Sequence, residues 1–459
     1  MVPHSKNSPA SPTSSSPLLH IDTTRLYREG VGAEGIDKTE IEALAPEFRR
    51  VHQTVIDKSA GGLNAEFACL SLHDSMPESL PQIEAAAEQM RHFEDVAVIG
   101  IGGSSLGAKA VYQALGADEP GPRRPRLHFL ENLDPRHLDS LRRNRSAEKT
   151  AVICISKAGG TIETIVQYLI VREWLEQQLG KNEARQHQWL ITDPAQGWLR
   201  EVARRDGITS LPVPPRVGGR YSVLTAVGLL PLAAVGVDIR GLLAGSAANA
   251  ARCADANPKT NPALELAALY YLLDVRKHKR ISIMMPYADP LLQFVNWYCQ
   301  LWAESLGKRV ANADPAGTLP VRAMGSVDQH SQLQMYLESR ADKMFTFLVL
   351  DHWENDRPIV LPEADRNAFP YLAGKRLSEV LDAEFRATRE VITRAKHPNV
   401  TLHLPTLDAH VLGQLIDLYQ RVTIYTGLLY GINPLDQPAV ELGKQLTLAY
   451  LAEPGKVKT

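Results

Sequence analysis

The sequence predicts an α/β fold with two mainly parallel sheets, and three observations carry that expectation. Short β-rich runs alternate with helical ones from "DVAVIGI" onward, the alternation restarts after the turn-rich "DANPKTNP", and glycine-rich loops lead two of the strands directly into helices. Parallel neighbours need crossover connections, and those crossovers cover both faces of a sheet with helices. A chain of 459 residues suits one large composite domain or two to three ordinary ones.

The elements follow in chain order. Residues 1–20, "MVPHSKNSPASPTSSSPLLH", are too rich in Ser and Pro to build a core and lack the apolar centre of a secretory signal, so they are expected to be a disordered tail. The stretch also lacks the arginine of a transit peptide. Residues 21–90 form an expected helical lead-in, because "IEALAPEFRRVHQTVIDK" and "SLPQIEAAAEQMRHFED" repeat apolar residues at three- and four-residue spacing. The first α/β half, 91–250, takes "DVAVIGI", "RLHFLE", "TAVICIS", "QWLITD" and "ITSLPV" as strands and closes on the helical "VLTAVGLLPLAAVGVDIRGLLAGSAANAA". The turn residues of "DANPKTNP" mark the boundary. The second half, 251–435, runs helix "ALELAALYYLLDVRK", strand "ISIMMP", helix "LLQFVNWYCQLWAESLG", strand "MFTFLVLD", a long helix and strand "VTLHLP". This order suggests internal duplication. Helices over "DAHVLGQLIDLYQRVTIYTGLLYG" and, within 436–459, "QPAVELGKQLTLAYLAE" finish the chain.

The formal net charge of -2 and a pI near 6.7 leave no basic field for nucleic acid and no polybasic helix for a membrane surface. No run reaches the roughly 18 apolar residues of a membrane span. Cys69, Cys154, Cys253 and Cys299 are far apart, with no zinc or redox spacing, and read as reduced thiols of a cytoplasmic protein.

The stretch "VAVIGIGGSSLGAKAVYQAL" presents the free N–H groups of a helix start to whatever lies beyond the strand, the usual site for a phosphate. A dinucleotide fingerprint needs glycine where Ser105 stands, although Glu131 could imitate its ribose-binding acid; a nucleotide P-loop needs Lys and Ser or Thr after Gly107, where Ala108 and Lys109 stand. What remains is a compact monophosphate cradle, in which Gly102 and Gly103 let the backbone approach and Ser104 adds a hydroxyl. Taken alone, the glycines could serve only a tight turn. "VICISKAGGTIETIVQY" repeats the layout one unit later with Ser156, Lys157 and Thr161, and two such loops from one sheet can converge on one anion.

At this point the residues resemble the phosphoglucose isomerase family, built from two sugar-isomerase (SIS) domains. "GIGGSSLG" and "SKAGGTIET" look like its phosphate loops, "VGGRYSVLTAVGLLP" like its arginine segment, "QLWAESLGK" like its glutamate segment, "GSVDQHSQLQ" like its histidine segment and "NPLDQPAVELGK" like its lysine segment. The motifs fall in the family's order across both halves, and the length is similar to that of the shorter bacterial members.

The resemblance implies two SIS-like α/β/α sandwich domains and reversible isomerisation of glucose 6-phosphate and fructose 6-phosphate, in glycolysis and gluconeogenesis, without metal or organic cofactor. It implies phosphate contacts from Ser104, Ser156, Lys157, Thr161 and Gln300, with Gly102, Gly103 and Gln437 also in the substrate site. Glu304 becomes the proton-transfer base, Arg220 the stabiliser of the intermediate, and His330 with Lys444 the ring-opening pair, supported by Glu163. A homodimer with shared active sites is implied too, because the family's histidine reaches into the neighbouring subunit. Two positions depart from the family: Ala158 replaces a hydroxyl residue after the Ser-Lys pair, and Ser105 lies where some members carry Asp.

These residue types suit the chemistry. Moving a hydrogen between carbons 2 and 1 of an open-chain sugar requires a base ionised near neutral pH, and a carboxylate in a partly apolar pocket provides it; Glu304 lies among Leu301, Trp302 and Leu306. A fixed cation such as Arg220 acts on charge that grows as the proton leaves. A histidine exchanges protons readily near pH 7, as ring opening demands. A non-catalytic sugar-phosphate sensor would keep the loops and could lose this acid–base set, whereas the whole set is present here.

Overall fold

The computed structural model describes residues 17–116, 124–310 and 314–452. The first sheet contains β2 (Asp95–Ile99), β3 (Arg126–Leu130), β4 (Thr150–Ser156), β5 (Gln188–Thr192) and β6 (Thr209–Pro212), in the order β3-β2-β4-β5-β6 with every pair parallel. The second contains β7 (Ile281–Pro286), β8 (Leu319–Arg322), β9 (Lys343–Leu350) and β10 (Asn399–Leu404), also parallel, in the order β8-β7-β9-β10. In both, the first strand of the half lies between the second and third. The strand order therefore reverses at the same place in each sheet, as a duplicated architecture would do. Helices cover both faces, giving two α/β/α sandwiches.

The central strands are buried along their whole length, β2 and β4 at every position, as expected for parallel strands covered on both sides. Two expectations need correction. The lead-in is not wholly helical: His20–Asp22 forms a strand, β1, that pairs antiparallel with β10 at the edge of the second sheet. Of the expected tail, residues 1–16 lie outside the described residues, but Leu19 is buried and its N–H donates to Gln414, so the last tail residues are packed. A three-residue strand carries no readable periodicity; its partner creates it. The four residues of β8, interrupted by Pro320, were missed for the same reason.

The boundary at 255–262 is a turn in the chain and not a break in the core. One hydrophobic cluster runs from Leu19 through the lead-in and both halves to Leu429. At its centre, helix Ile239–Arg252 of the first half crosses helix Ala409–Leu429 of the second, and glycine on each makes the approach possible. A Cβ on Gly245 would lie 1.9 Å from the carbonyl oxygen of His410, and one on Gly413 would lie 2.0 Å from that of Leu242. A buried ion pair, Arg421–Asp417 at 2.7 Å, completes the crossing, with Asn249 donating to the same carboxylate and Arg421 to the carbonyl of Leu70.

Candidate active site

The first glycine loop follows β2 and the second follows β4, the two strands that flank the reversal in strand order, where open α/β sheets bind ligands. The first loop turns through Gly102–Ser104 into helix Leu106–Leu115, and Gly102 has a φ of +60° that glycine adopts without strain. The loop is wedged between two other segments. A Cβ on Gly103 would lie 2.2 Å from the carbonyl carbon of Gly219 and 2.5 Å from the nitrogen of Arg220, while one on Gly102 would lie 2.8 Å from Nε2 of Gln300. These glycines therefore bring the first loop, the arginine segment and the glutamate helix together.

In the second loop, Ser156 is buried and its hydroxyl donates to that of Thr161, the residue before helix Ile162–Leu179. The Lys157 ammonium donates to the carbonyl of Val217 at 2.8 Å, tying this loop to the arginine segment as well. Burial holds its value below the ordinary lysine range. Ala158 is exposed. The side chains of Ser105 and Lys109 both donate to Glu131, at 2.6 and 2.5 Å, so the acid that could have imitated a ribose ligand is engaged within the protein.

Arg220 organises the centre. Its side chain is buried, and each of its five N–H donors has a partner. Nε donates to the hydroxyl of Ser305 at 2.7 Å; Nη1 donates to Gln437 Oε1 at 2.8 Å and Glu304 Oε2 at 3.3 Å; Nη2 donates to the carbonyls of Pro434 at 2.8 Å and Asp436 at 3.1 Å. Trp297 donates to the Arg220 carbonyl, and the Tyr221 hydroxyl reaches both Ser305 and the Pro434 carbonyl. Glu304 lies near the end of helix Leu292–Leu306, one turn beyond Gln300, whose Nε2 donates to Glu304 Oε1 at 3.0 Å. Both carboxylate oxygens are thus held, each by a different residue.

The site differs from the expectation in three respects. Leu301, Trp302 and Leu306 face the core, and Glu304, with a side chain 35% exposed, touches Arg220 and Gln300 instead of an apolar pocket. Gln300 faces the carboxylate with its Nε2, and its buried Oε1 has no partner among the described residues. The third respect concerns His330 and Lys444. No hydrogen bond or ion pair among the described residues links either of them to Glu304, or His330 to Glu163; His330 is exposed on the short helix Val327–Ser331, and Lys444 pairs with Glu441 on helix Glu441–Ala452. Gln437, by contrast, is brought directly to Arg220. Sequence reading passed over Ser305 and Trp297, although Ser305 adjoins Glu304 within "QLWAESLGK".

Among the described residues no group of His, Cys, Asp and Glu is arranged to hold a metal, and no helix is long and apolar enough to cross a membrane.

Two α/β/α sandwiches sharing a core, with a glycine-rich strand-to-helix loop at one sheet's switch point beside a clamped carboxylate, have the architecture of the sugar-isomerase class. The sequence model described as phosphoglucose isomerase matches residues 39–347 and 361–458. The chain belongs to the phosphoglucose isomerase family. It is similar to the glucose-6-phosphate isomerase of Rubrobacter xylanophilus, 37% identical over 452 residues that cover 95% of this chain and 99% of the relative. The glucose-6-phosphate isomerase of Carboxydothermus hydrogenoformans is 36% identical over 448 residues, 95% of each chain. Among solved structures, a hypothetical protein from Thermus thermophilus superposes with a TM-score of 0.85 at 32% identity, covering 95% of this chain and 100% of that one. A glucose-6-phosphate isomerase from Chlamydia trachomatis shares the fold, with a TM-score of 0.72 at 23% identity over 85% and 75% of the two chains.

Proposed function

We propose that the protein interconverts glucose 6-phosphate and fructose 6-phosphate through a cis-enediolate, as an intramolecular aldose–ketose isomerase of glycolysis and gluconeogenesis. The observation that carries this reading is the Glu304 carboxylate held between Arg220 and Gln300 beside the phosphate loops. The phosphate docks on the backbone N–H groups of the first loop with Ser104, and on Ser156, Lys157 and Thr161 of the second. Remote from the reacting carbons, it supplies binding energy that positions the sugar. Glu304 then removes the carbon-2 proton of the aldose and returns it to carbon 1; in the reverse direction the steps invert. As the proton leaves, charge grows on the carbonyl oxygen, and Arg220 Nη1 exchanges its long 3.3 Å contact with Glu304 for that oxygen. Gln437 keeps the guanidinium in place during the exchange.

Ring opening falls to His330 and Lys444, which donate a proton to the ring oxygen and take one from the carbon-1 hydroxyl, with Glu163 orienting the imidazole. The exposed position of His330, with no bond to Glu304 or Glu163 among the described residues, supports a homodimer in which His330 completes the neighbour's site. So does the surface around His330 and Lys444: Val327 and Met335 beside His330 are exposed, and helix Glu441–Ala452 buries no residue while exposing Leu442, Leu446, Leu448 and Leu451. Four unpaired thiols suit a reducing, cytoplasmic compartment.

A coupled assay that follows fructose 6-phosphate conversion to glucose 6-phosphate, with EDTA present, tests the reaction. Turnover under these conditions is expected. Phosphate-sugar binding without turnover would overturn the reading in favour of a sensor.

A further inference from the structure

Lys308 ends the "QLWAESLGK" segment, and neither proton transfer nor phosphate binding uses it. Its side chain is 11% exposed and lies just past the end of helix Leu292–Leu306, where the last carbonyls have no partner within the helix. The ammonium has three donors and three acceptors: the carbonyl of Ser305 at 2.5 Å, the carbonyl of Glu304 at 3.2 Å and Oδ1 of Asp436 at 3.4 Å. Two of these belong to the residues that carry the base and the Arg220 Nε acceptor. The third belongs to the turn 433–437, which receives the other end of Arg220 through the carbonyls of Pro434 and Asp436 and the amide of Gln437. Asn433 donates to the other oxygen of Asp436 and closes the turn.

The turn and the helix end are therefore the two jaws that grip Arg220, and Lys308 is the side chain that bonds to both. We infer that Lys308 is a positioning residue, which fixes the Arg220 guanidinium against the Glu304 carboxylate by tying the helix end to the turn 433–437. The inference rests on the reading of Glu304 and Arg220 as the reacting groups. A cation here also suits the negative end of the helix dipole. Burial, set against the neighbouring charges of Asp436 and Glu304, holds the ammonium below the ordinary lysine value, as a group kept for its geometry in a crowded place.

Misplacement of a reacting group by about 1 Å costs on the order of 100-fold in rate. Lys308→Met is accordingly expected to lower kcat by about 10- to 100-fold and leave KM for fructose 6-phosphate within about threefold, because the phosphate loops are untouched. Asp436→Asn should shift kcat in the same direction by less, and the double variant should be no slower than Lys308→Met alone, as members of one chain of contacts behave. In both, the loss should fall on kcat and on solvent-proton exchange at carbon 2 with KM nearly parental, since a displaced guanidinium fails the reacting oxygen and not the phosphate. A merely structural lysine would lower the melting temperature without this split between kcat and KM.

Lys308→Arg keeps the charge but replaces a compact three-donor head with a planar fork, so it should recover only part of kcat. If Lys308→Met destroys cooperative folding, Asp436→Asn, which alters a half-exposed carboxylate, decides the matter by its kcat at parental KM. Parental kcat in these variants, with Glu304→Gln inactive, would overturn the role of Lys308 and leave the reading of the site standing. Turnover in Glu304→Gln would instead remove the reading on which it rests.

Discussion

Replacing Glu304 by Gln keeps the shape held by Arg220 and Gln300 but removes the lone pair that accepts a carbon-bound proton. The expected outcome is a rate loss of roughly 100-fold or more with sugar-phosphate binding retained, read by loss of solvent-proton exchange at carbon 2. Ala158 makes a subtler case. It is exposed at a strand-to-helix turn beside Thr161, and Ala158→Ser would add one donor toward the phosphate. A hydrogen bond to a charged oxygen contributes about 2 kcal/mol, so KM for fructose 6-phosphate should fall several-fold with kcat nearly unchanged. At this scale the sequence was legible where a local motif brought its residues together, as with Ser156 and Thr161 in the second loop and Glu304 one turn beyond Gln300. It was silent where the role comes from distant chain: Ser305 matters because Arg220, 85 positions earlier, donates to it. The apolar neighbours of Glu304 in sequence also misled, because on a helix adjacent residues face different ways and Leu301 and Trp302 turn into the core.

Among the elements, the first glycine loop depends most on shape. A methyl group on Gly103 would meet backbone atoms of Gly219 and Arg220, neither of which is the free end of a flexible side chain. Gly103→Ala is expected to push the loop away from the arginine segment, raising KM and lowering kcat together, by about 100-fold in kcat/KM for a shift near 1 Å. Steady-state kinetics would show it, with far-ultraviolet circular dichroism unchanged. The long strands were legible as elements because both faces are buried and the runs are continuous: "TAVICIS" and "ISIMMP" coincide with β4 and β7. The short edge strands β1 and β8 were not, since a run of three or four residues gains its extended form from a partner, not from its own pattern. Helix Glu441–Ala452 shows the opposite case: its apolar residues are plain in the sequence, and the single chain leaves them uncovered.

At the scale of the whole molecule, the uncovered surface leads to a test of assembly. Inactive Glu304→Gln and inactive His330→Ala subunits, mixed and allowed to exchange, should regain activity, because one of the two composite sites in a hybrid dimer has both residues intact. Hybrids that form and stay inactive would place His330 in its own chain's site. Stability against acid follows from three histidines kept away from water. Burial lowers the values of His52, His73 and His397 from 6.5, with Lys279 and Lys343 adding to the effect at His397. A histidine whose folded value is depressed leaves the unfolded chain to take up the proton first. Its contribution is therefore complete above about pH 6.5 and is lost as pH falls from there toward the folded value. Buried Glu265 and Asp274, whose carboxyl values are raised, act in the opposite sense, so a single substitution is the cleaner test. The melting temperature of His397→Phe should fall less steeply below pH 6.5 than that of the parent.

The antiparallel pairing of β1 with β10 sets an order of events during synthesis. His20 lies opposite His403, and the N–H of Leu19 is bonded to Gln414. The strand that leaves the ribosome first thus has no partner until nearly the whole chain has followed it. A nascent chain released before residue 404 can complete the first sheet, but its opening segment stays unpaired and open to proteolysis. Once β10 has been made it covers that segment, so protection of β1 against protease should appear late in synthesis.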